Sequence, residues 1–186
     1  MIIDKIRSHP NNNPVEIVDI ILNNGFDVSK GLVYSIDDTT VLKRIPLCDI
    51  DPIEAVTRVN NVVPGFIKYY EVKSDTQIDL YLTKYKGIHP RPNTGLYSYS
   101  ITDKQHALTI LDACIDFVKK AKPNTYNDFS EGNILLDGEH IHFIDLDQIF
   151  NDYKDTISVK EYYFSMYWLH GYMEFTEFEK IWKSHF

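Results

Sequence analysis

Three side chains carry the clearest chemical signal in this 186-residue chain: Asp128, Asn133 five residues on, and Asp145 twelve beyond that. They sit in the runs Tyr126-Asn127-Asp128-Phe129-Ser130-Glu131-Gly132-Asn133-Ile134-Leu135-Leu136 and Phe143-Ile144-Asp145-Leu146-Asp147. Together they offer a carboxylate that can take or orient a hydroxyl proton, plus an amide oxygen and a carboxylate suited to Mg2+. Phosphoryl transfer from ATP asks for such a set, because its dispersed anionic transition state is served mostly by positioning and charge neutralisation. Asp147 shares a strand face with Asp145 if the run stays extended; there it adds a second acidic ligand or raises the local negative charge. Two close carboxylates repel without a cation, which itself argues for bound metal. The spacing alone is weak, since Asp and Asn are frequent here and, taken singly, read as loop-capping residues.

Context discriminates, and the context is the set of elements that must hold these residues. Residues 15–23 read as a short amphipathic helix, followed by β-rich runs at 26–30, 32–36 and 40–45 with a turn at Asp37-Asp38. Asp51-Pro52 opens a second helix, with Ile53, Val56, Val59 and Val63 facing inward. Residues 66–73 and 77–85 are two more strands; Ile78, Leu80 and Leu82 alternate with Asp79, Tyr81 and Thr83, so one face is expected to be buried. The stretch 87–95 has two prolines and no periodicity and reads as a hinge or linker. Thr102-Asp103-Lys104-Gln105 is a capping box for the strongest helix, with a stripe of Ala107, Leu108, Leu111, Cys114, Ile115 and Val118. A hairpin over 133–136 and 141–146 turns at Asp137-Gly138, and aromatic helices follow at 158–172 and 176–185. Asp128 then lies on a loop after a long helix, Asn133 opens the hairpin and Asp145 ends its second strand. The expected fold is α+β: a β-rich N-lobe with its leading helix (1–86), a hinge (87–95) and a reduced helical C-lobe (96–186).

Composition narrows the class. Apolar residues make up 44% and charged residues 25%, enough for a core and too balanced for a disordered tail. With 19 Lys and Arg against 27 Asp and Glu, the net charge of −8 argues against nucleic-acid binding through a broad basic surface. Two cysteines are too few for a disulfide framework, and no apolar run reaches membrane-spanning length, so a soluble cytoplasmic protein is expected.

The run Asp128-Phe129-Ser130-Glu131-Gly132-Asn133-Ile134-Leu135, with Ile144-Asp145-Leu146-Asp147-Gln148 after it, resembles the RIO atypical kinases, whose pattern is D-L-S-E-x-N-I-L and then I-D-x-x-Q. The small kinase of the KEOPS complex and the aminoglycoside/choline phosphotransferases share the same skeleton more distantly. The resemblance implies a minimal bilobal protein-kinase-like fold, with ATP and Mg2+ as cofactors and Ser/Thr kinase or ATPase chemistry. On that pattern Asp128 is the base, and Asn133 and Asp145 hold metal with Asp147 beside them. Ser29-Lys30-Gly31-Leu32-Val33-Tyr34 is similar to the family's phosphate loop, though with Gly31 alone. Thr39-Thr40-Val41-Leu42-Lys43-Arg44-Ile45 resembles the third-strand lysine motif, which gives Lys43 the α- and β-phosphates. Glu54 is its expected helix partner and equally sits where a capping residue would. ATP is then expected between the lobes, with adenine against Lys84-Tyr85-Lys86-Gly87.

Tyr126 stands where the pattern usually has His, and the 41 residues after Asp145 contain no A-P-E-like segment, so the peptide platform is reduced. The acceptor is thus a hydroxyl on a protein or a small molecule, and a pseudokinase or nucleotide-dependent interaction module is the alternative. Other residues read structurally. Cys114 is expected to pack, and His140 and His142 to lie on an exposed strand face rather than bind zinc. Tyr162, Tyr163, Tyr167, Trp168, Phe175, Phe178 and Trp182 are expected to form core, with any exposed fraction available to a protein partner.

Overall fold

A computed structural model describes residues 32–47, 50–90, 101–138 and 140–186. The expected leading helix, the run 26–30, the Ser29-Lys30-Gly31 loop and positions 91–95 of the hinge lie outside the described residues. The fold is α+β, and the chain divides into two compact units, Met1–Lys84 and Tyr85–Phe186. The division falls just ahead of Tyr85, two residues before the boundary expected from sequence.

In the first unit, β1 (Leu32–Ser35), β2 (Thr40–Pro46), β3 (Ile67–Ser74) and β4 (Gln77–Thr83) form an antiparallel sheet in the order β1-β2-β4-β3. The β1–β2 turn closes on Asp37, whose carboxylate accepts from the Thr39 backbone N–H and hydroxyl. Those bonds hold the Asp37 carboxyl below its usual range. Helix α1 (Pro52–Val62) starts where Asp51 caps the Ile53 N–H, with Pro52 in the first turn.

The buried stripe of α1 is Ala55, Val59 and Val62, whereas Ile53 is 64% exposed. Only Val59 of the four inward positions expected from sequence is fully buried. Apolar residues surround this helix, so their spacing left its phase open; the small Ala55 marks the line of closest approach. Asn60 completes the attachment, its side-chain amide bonding both the N–H and the carbonyl of Ile67.

β4 is covered on both faces, not one. Ile78, Leu80 and Leu82 are buried as expected, and so are Asp79 and Tyr81 between them. Asp79 tolerates burial because Arg44, its cross-strand neighbour, meets it with two parallel bonds of 2.5 and 2.8 Å.

The second unit is built on α2 (Lys104–Ala121), capped by Asp103, which accepts from the His106 N–H. Thr102 is thus one residue outside the cap, its hydroxyl bonded to Asp103. Leu108 is half-buried, and Ile110, Phe117 and Ala121 complete the buried face with the other expected positions. A 3-10 turn (Glu131–Asn133) leads into β5 (Ile134–Asp137), which pairs with β6 (His140–Phe143). β6 ends three residues before the expected limit, at Phe143.

Ahead of α2 the hinge segment is not free. Ile88 exchanges two backbone hydrogen bonds with Leu136, supplying partners to an edge the hairpin would otherwise leave open. Gly87 makes this approach feasible: its φ is +146°, and a Cβ there would sit 2.7 Å from the Leu136 carbonyl oxygen.

A one-turn helix α3 (Asp147–Phe150) follows, then α4 (Val159–Ser165) with a Ser158/Glu161 capping box, a 3-10 turn (Tyr167–Leu169) and α5 (Phe175–His185). The expected single helix over 158–172 is therefore broken at Met166. Tyr162, Trp168, Phe178 and Trp182 are buried, with Tyr162 stacked on Trp182. Among the described residues no helix is long and apolar enough to cross a membrane.

Candidate functional site

The loop after α2 is organised around Asp128. Phe129 N–H donates to the Asn127 carbonyl across it, so Asp128 stands at the tip of a three-residue turn. Phe129 is fully buried, edge-on to Phe117, Tyr126 and Phe143, and its carbonyl accepts from the buried Trp168 indole at 2.8 Å. On the other side, Gln148 takes the Asn127 N–H at 2.9 Å and donates to the Asn127 side-chain oxygen at 3.0 Å. The Asp128 carbonyl accepts from the Tyr126 hydroxyl at 3.0 Å and from Asn133 Nδ2 at 3.2 Å. The Asp128 carboxylate itself, half-buried, accepts no hydrogen bond among the described residues. A loop whose backbone is held by four side chains presents one acid with its oxygens open.

Asn133 is oriented by the same bond. Because Nδ2 is committed to the Asp128 carbonyl, Oδ1 is the end left to accept or to ligate. Its backbone also ties the two segments together, since Ile144 N–H donates to the Asn133 carbonyl at 2.9 Å. The Tyr126 hydroxyl reaches the Ile144 carbonyl at 3.2 Å as well, so both sides of Ile144 are held just before Asp145.

Asp145 itself has φ +60°, and Leu146 after it is buried. A left-handed non-glycine residue persists when its neighbours over-determine it, and such residues concentrate at functional sites. The acids gather around one phenol: burial, then the charges of Asp128 and Asp145, push the Tyr126 hydroxyl well above its ordinary value, with Asp147 adding to them. Tyr126 is therefore a neutral donor throughout the working pH range.

The donor set suits a hard divalent cation: an oriented amide oxygen and the exposed carboxylate of Asp145. Among the described residues no three His, Cys, Asp or Glu side chains group closely enough to hold one ion, so a ligand set here depends on the Asn133 oxygen. Asp147 departs from its expected place. The chain leaves the extended conformation after Phe143, and Asp147 is the first residue of α3, half-buried, so it does not alternate with Asp145 along a strand.

The remaining sequence-derived candidates belong to other elements. Lys43 lies in β2 of the first unit, opposite Val33 and Leu80, and is only 5% exposed. It is thus a buried cation rather than the solvated one an alternating strand suggests. Glu54 is 58% exposed and bonds Arg58 one turn on, at 2.5 Å, in place of the expected pairing with Lys43. The helix phase explains this, because Glu54 adjoins the exposed Ile53 on the outer face. Ser29, Lys30 and Gly31 lie outside the described residues.

Lys84 belongs to the first unit, its amine on the Ser35 hydroxyl at 2.6 Å, and Tyr85 opens the second, stacked on His142 at 4.1 Å. His142 is half-buried by that stack, which lowers its pKa through desolvation, whereas His140 is exposed. Cys114 packs in the core of α2, and burial pushes its thiol up. Gln148, Asn127 and Trp168 were missed as loop supports. Gln148 belonged to the recognised run, but its partner is 21 residues away, and Trp168 reaches back 39 residues. No protein-family model matches the chain, and no curated protein or solved structure matches it either.

Proposed function

We propose that the chain is an ATP- and Mg2+-dependent phosphotransferase of minimal bilobal, protein-kinase-like architecture that moves the γ-phosphate to a hydroxyl acceptor. The observation that carries this reading is the Asp128 turn: its backbone is pinned by Tyr126, Asn133, Gln148 and Trp168, while its carboxylate stays open. A carboxylate on a backbone turn held at several points, with its oxygens not used up in hydrogen bonds, suits a proton acceptor. The acceptor oxygen attacks the γ-phosphorus, the bond to the β,γ-bridging oxygen breaks, ADP leaves, and the acceptor's proton passes to Asp128. Mg2+, when bound, neutralises charge on the transferred group. Asn133 would offer its oriented amide oxygen to that ion and Asp145 a carboxylate, and the same reading would give Lys43 phosphate charge to neutralise.

Binding is the first test. Mg·ATP at 100 times its Kd is expected to stabilise the protein by about 2.7 kcal/mol, read as a thermal shift that Asp145→Ala abolishes. No shift with ATP, or an equal shift in the variant, contradicts the reading. A nucleotide-dependent interaction module without transfer is the second reading, and the Glu54–Arg58 pair favours it, because Glu54 is engaged away from Lys43. It predicts Mg·ATP binding with no turnover above an Asp128→Ala control.

A further inference from the structure

We propose that Gln148 is a positioning residue that sets the Asp128 turn relative to the Asp145 turn, an inference that rests on the phosphotransferase reading. Gln148 lies in α3, three residues after Asp145, and among the described residues its side chain makes no hydrogen bond to Asp128 or to a candidate ligand oxygen. Its amide instead faces Asn127 with two opposed bonds, accepting the backbone N–H at 2.9 Å and donating to Oδ1 at 3.0 Å. Two opposed bonds from one planar amide to the backbone and side chain of one residue fix angle as well as distance, which a single bond does not. Asn127 in turn supplies the carbonyl that closes the turn carrying Asp128 at its tip.

The backbone around this clamp forms a second connection. Tyr153 N–H donates to the Gln148 carbonyl, and the Tyr153 carbonyl accepts from Thr125 N–H and its hydroxyl at 2.9 and 2.6 Å. Gln148 therefore sits in a closed circuit running 125–127–148–153. The segment that carries Asp145 and the segment that carries Asp128 move together through it. A displacement of about 1 Å in a reacting group costs on the order of 100-fold in rate, so the clamp's effect falls on kcat.

The experiment compares the full chain with Gln148→Leu and Gln148→Glu by amide hydrogen exchange without nucleotide and by steady-state transfer from labelled ATP. Gln148→Leu removes both bonds. The Asn127 amide is expected to lose its protection, and kcat to fall about 10- to 100-fold with KM for ATP changed less than about threefold. Gln148→Glu keeps an acceptor for the Asn127 N–H and loses the donor to Oδ1, so it should retain amide protection and fall between the other two in kcat.

An exposed Asn127 amide with unchanged kcat overturns the positioning role and leaves Gln148 structural. A protected amide in Gln148→Leu overturns the clamp itself. Wild-type protein with no Asp128-dependent turnover instead sinks the phosphotransferase reading and the positioning role of Gln148 with it, and the exchange data still decide the clamp.

Discussion

Two polar clusters, one buried and one half-buried, lie in the two units and end differently. In the first, Arg44 and Asp79 meet across β2 and β4 at 2% and 0% exposure, with both carboxylate oxygens bonded by the guanidinium. In the second, Tyr126, Asn127, Asn133, Gln148 and Trp168 spend their hydrogen bonds on the backbone around Asp128 or on one another, and none is directed at its carboxylate. In the first cluster both oxygens of the buried carboxylate are bonded, as burial of charge requires. The second closes everything except the group that could react. A polar cluster that serves stability leaves no oxygen over; one that serves chemistry holds an oxygen still and keeps it open.

Breaking the closed cluster should have the largest effect on stability. Asp79→Leu removes the carboxylate that takes two bonds from the buried Arg44 guanidinium and is expected to cost about 3–5 kcal/mol, measured by urea unfolding. Replacing both partners with Met and Leu should recover most of that loss. If the single variant costs no more than the double, the pair is not what satisfies the site. Gly87→Ala tests how the second unit is assembled rather than how it reacts. Its added Cβ meets the Leu136 carbonyl at a backbone conformation that disfavours a side chain, so about 1–3 kcal/mol is expected. An unperturbed melting temperature would contradict the close approach.

Trp168→Phe keeps an aromatic ring but loses the indole N–H and part of its bulk, leaving the Phe129 carbonyl unpaired, at a cost of about 1–3 kcal/mol in the same assay. A loss well below 0.5 kcal/mol would mean the indole bond does not support the loop. The smallest effect is expected at Glu54→Ala, where an exposed i,i+4 pair contributes about 0.3–0.5 kcal/mol before salt screening. Transfer should be unchanged too. A large drop in turnover would restore the Lys43 pairing that the helix phase opposes.

The sequence made the local parts of the second cluster legible. Asp128, Asn133 and Asp145 stand at fixed offsets, and the turn, hairpin and cap around them are written within a few residues of each. What closes the cluster comes from elsewhere. The Gln148–Asn127 and Trp168–Phe129 bonds join segments 21 and 39 residues apart, and no periodicity reports them. Asp147 does not follow the strand alternation, because the extended run ends at Phe143 and the chain turns through a left-handed Asp145 into α3. In the first unit, alternation along β4 put Asp79 on a solvent face. Only the register, which sets Arg44 opposite it, shows why an acid can be buried there.

The open carboxylate of Asp128 is the centre of the account, and one substitution reads it directly. Asp128→Asn keeps the shape of the turn and every backbone bond around it while removing the proton acceptor. Transfer from labelled ATP should fall about 10²- to 10⁴-fold, the usual share of a general base. Mg·ATP binding and the melting temperature should stay at their wild-type values. Equal transfer by wild type and Asp128→Asn would contradict the account.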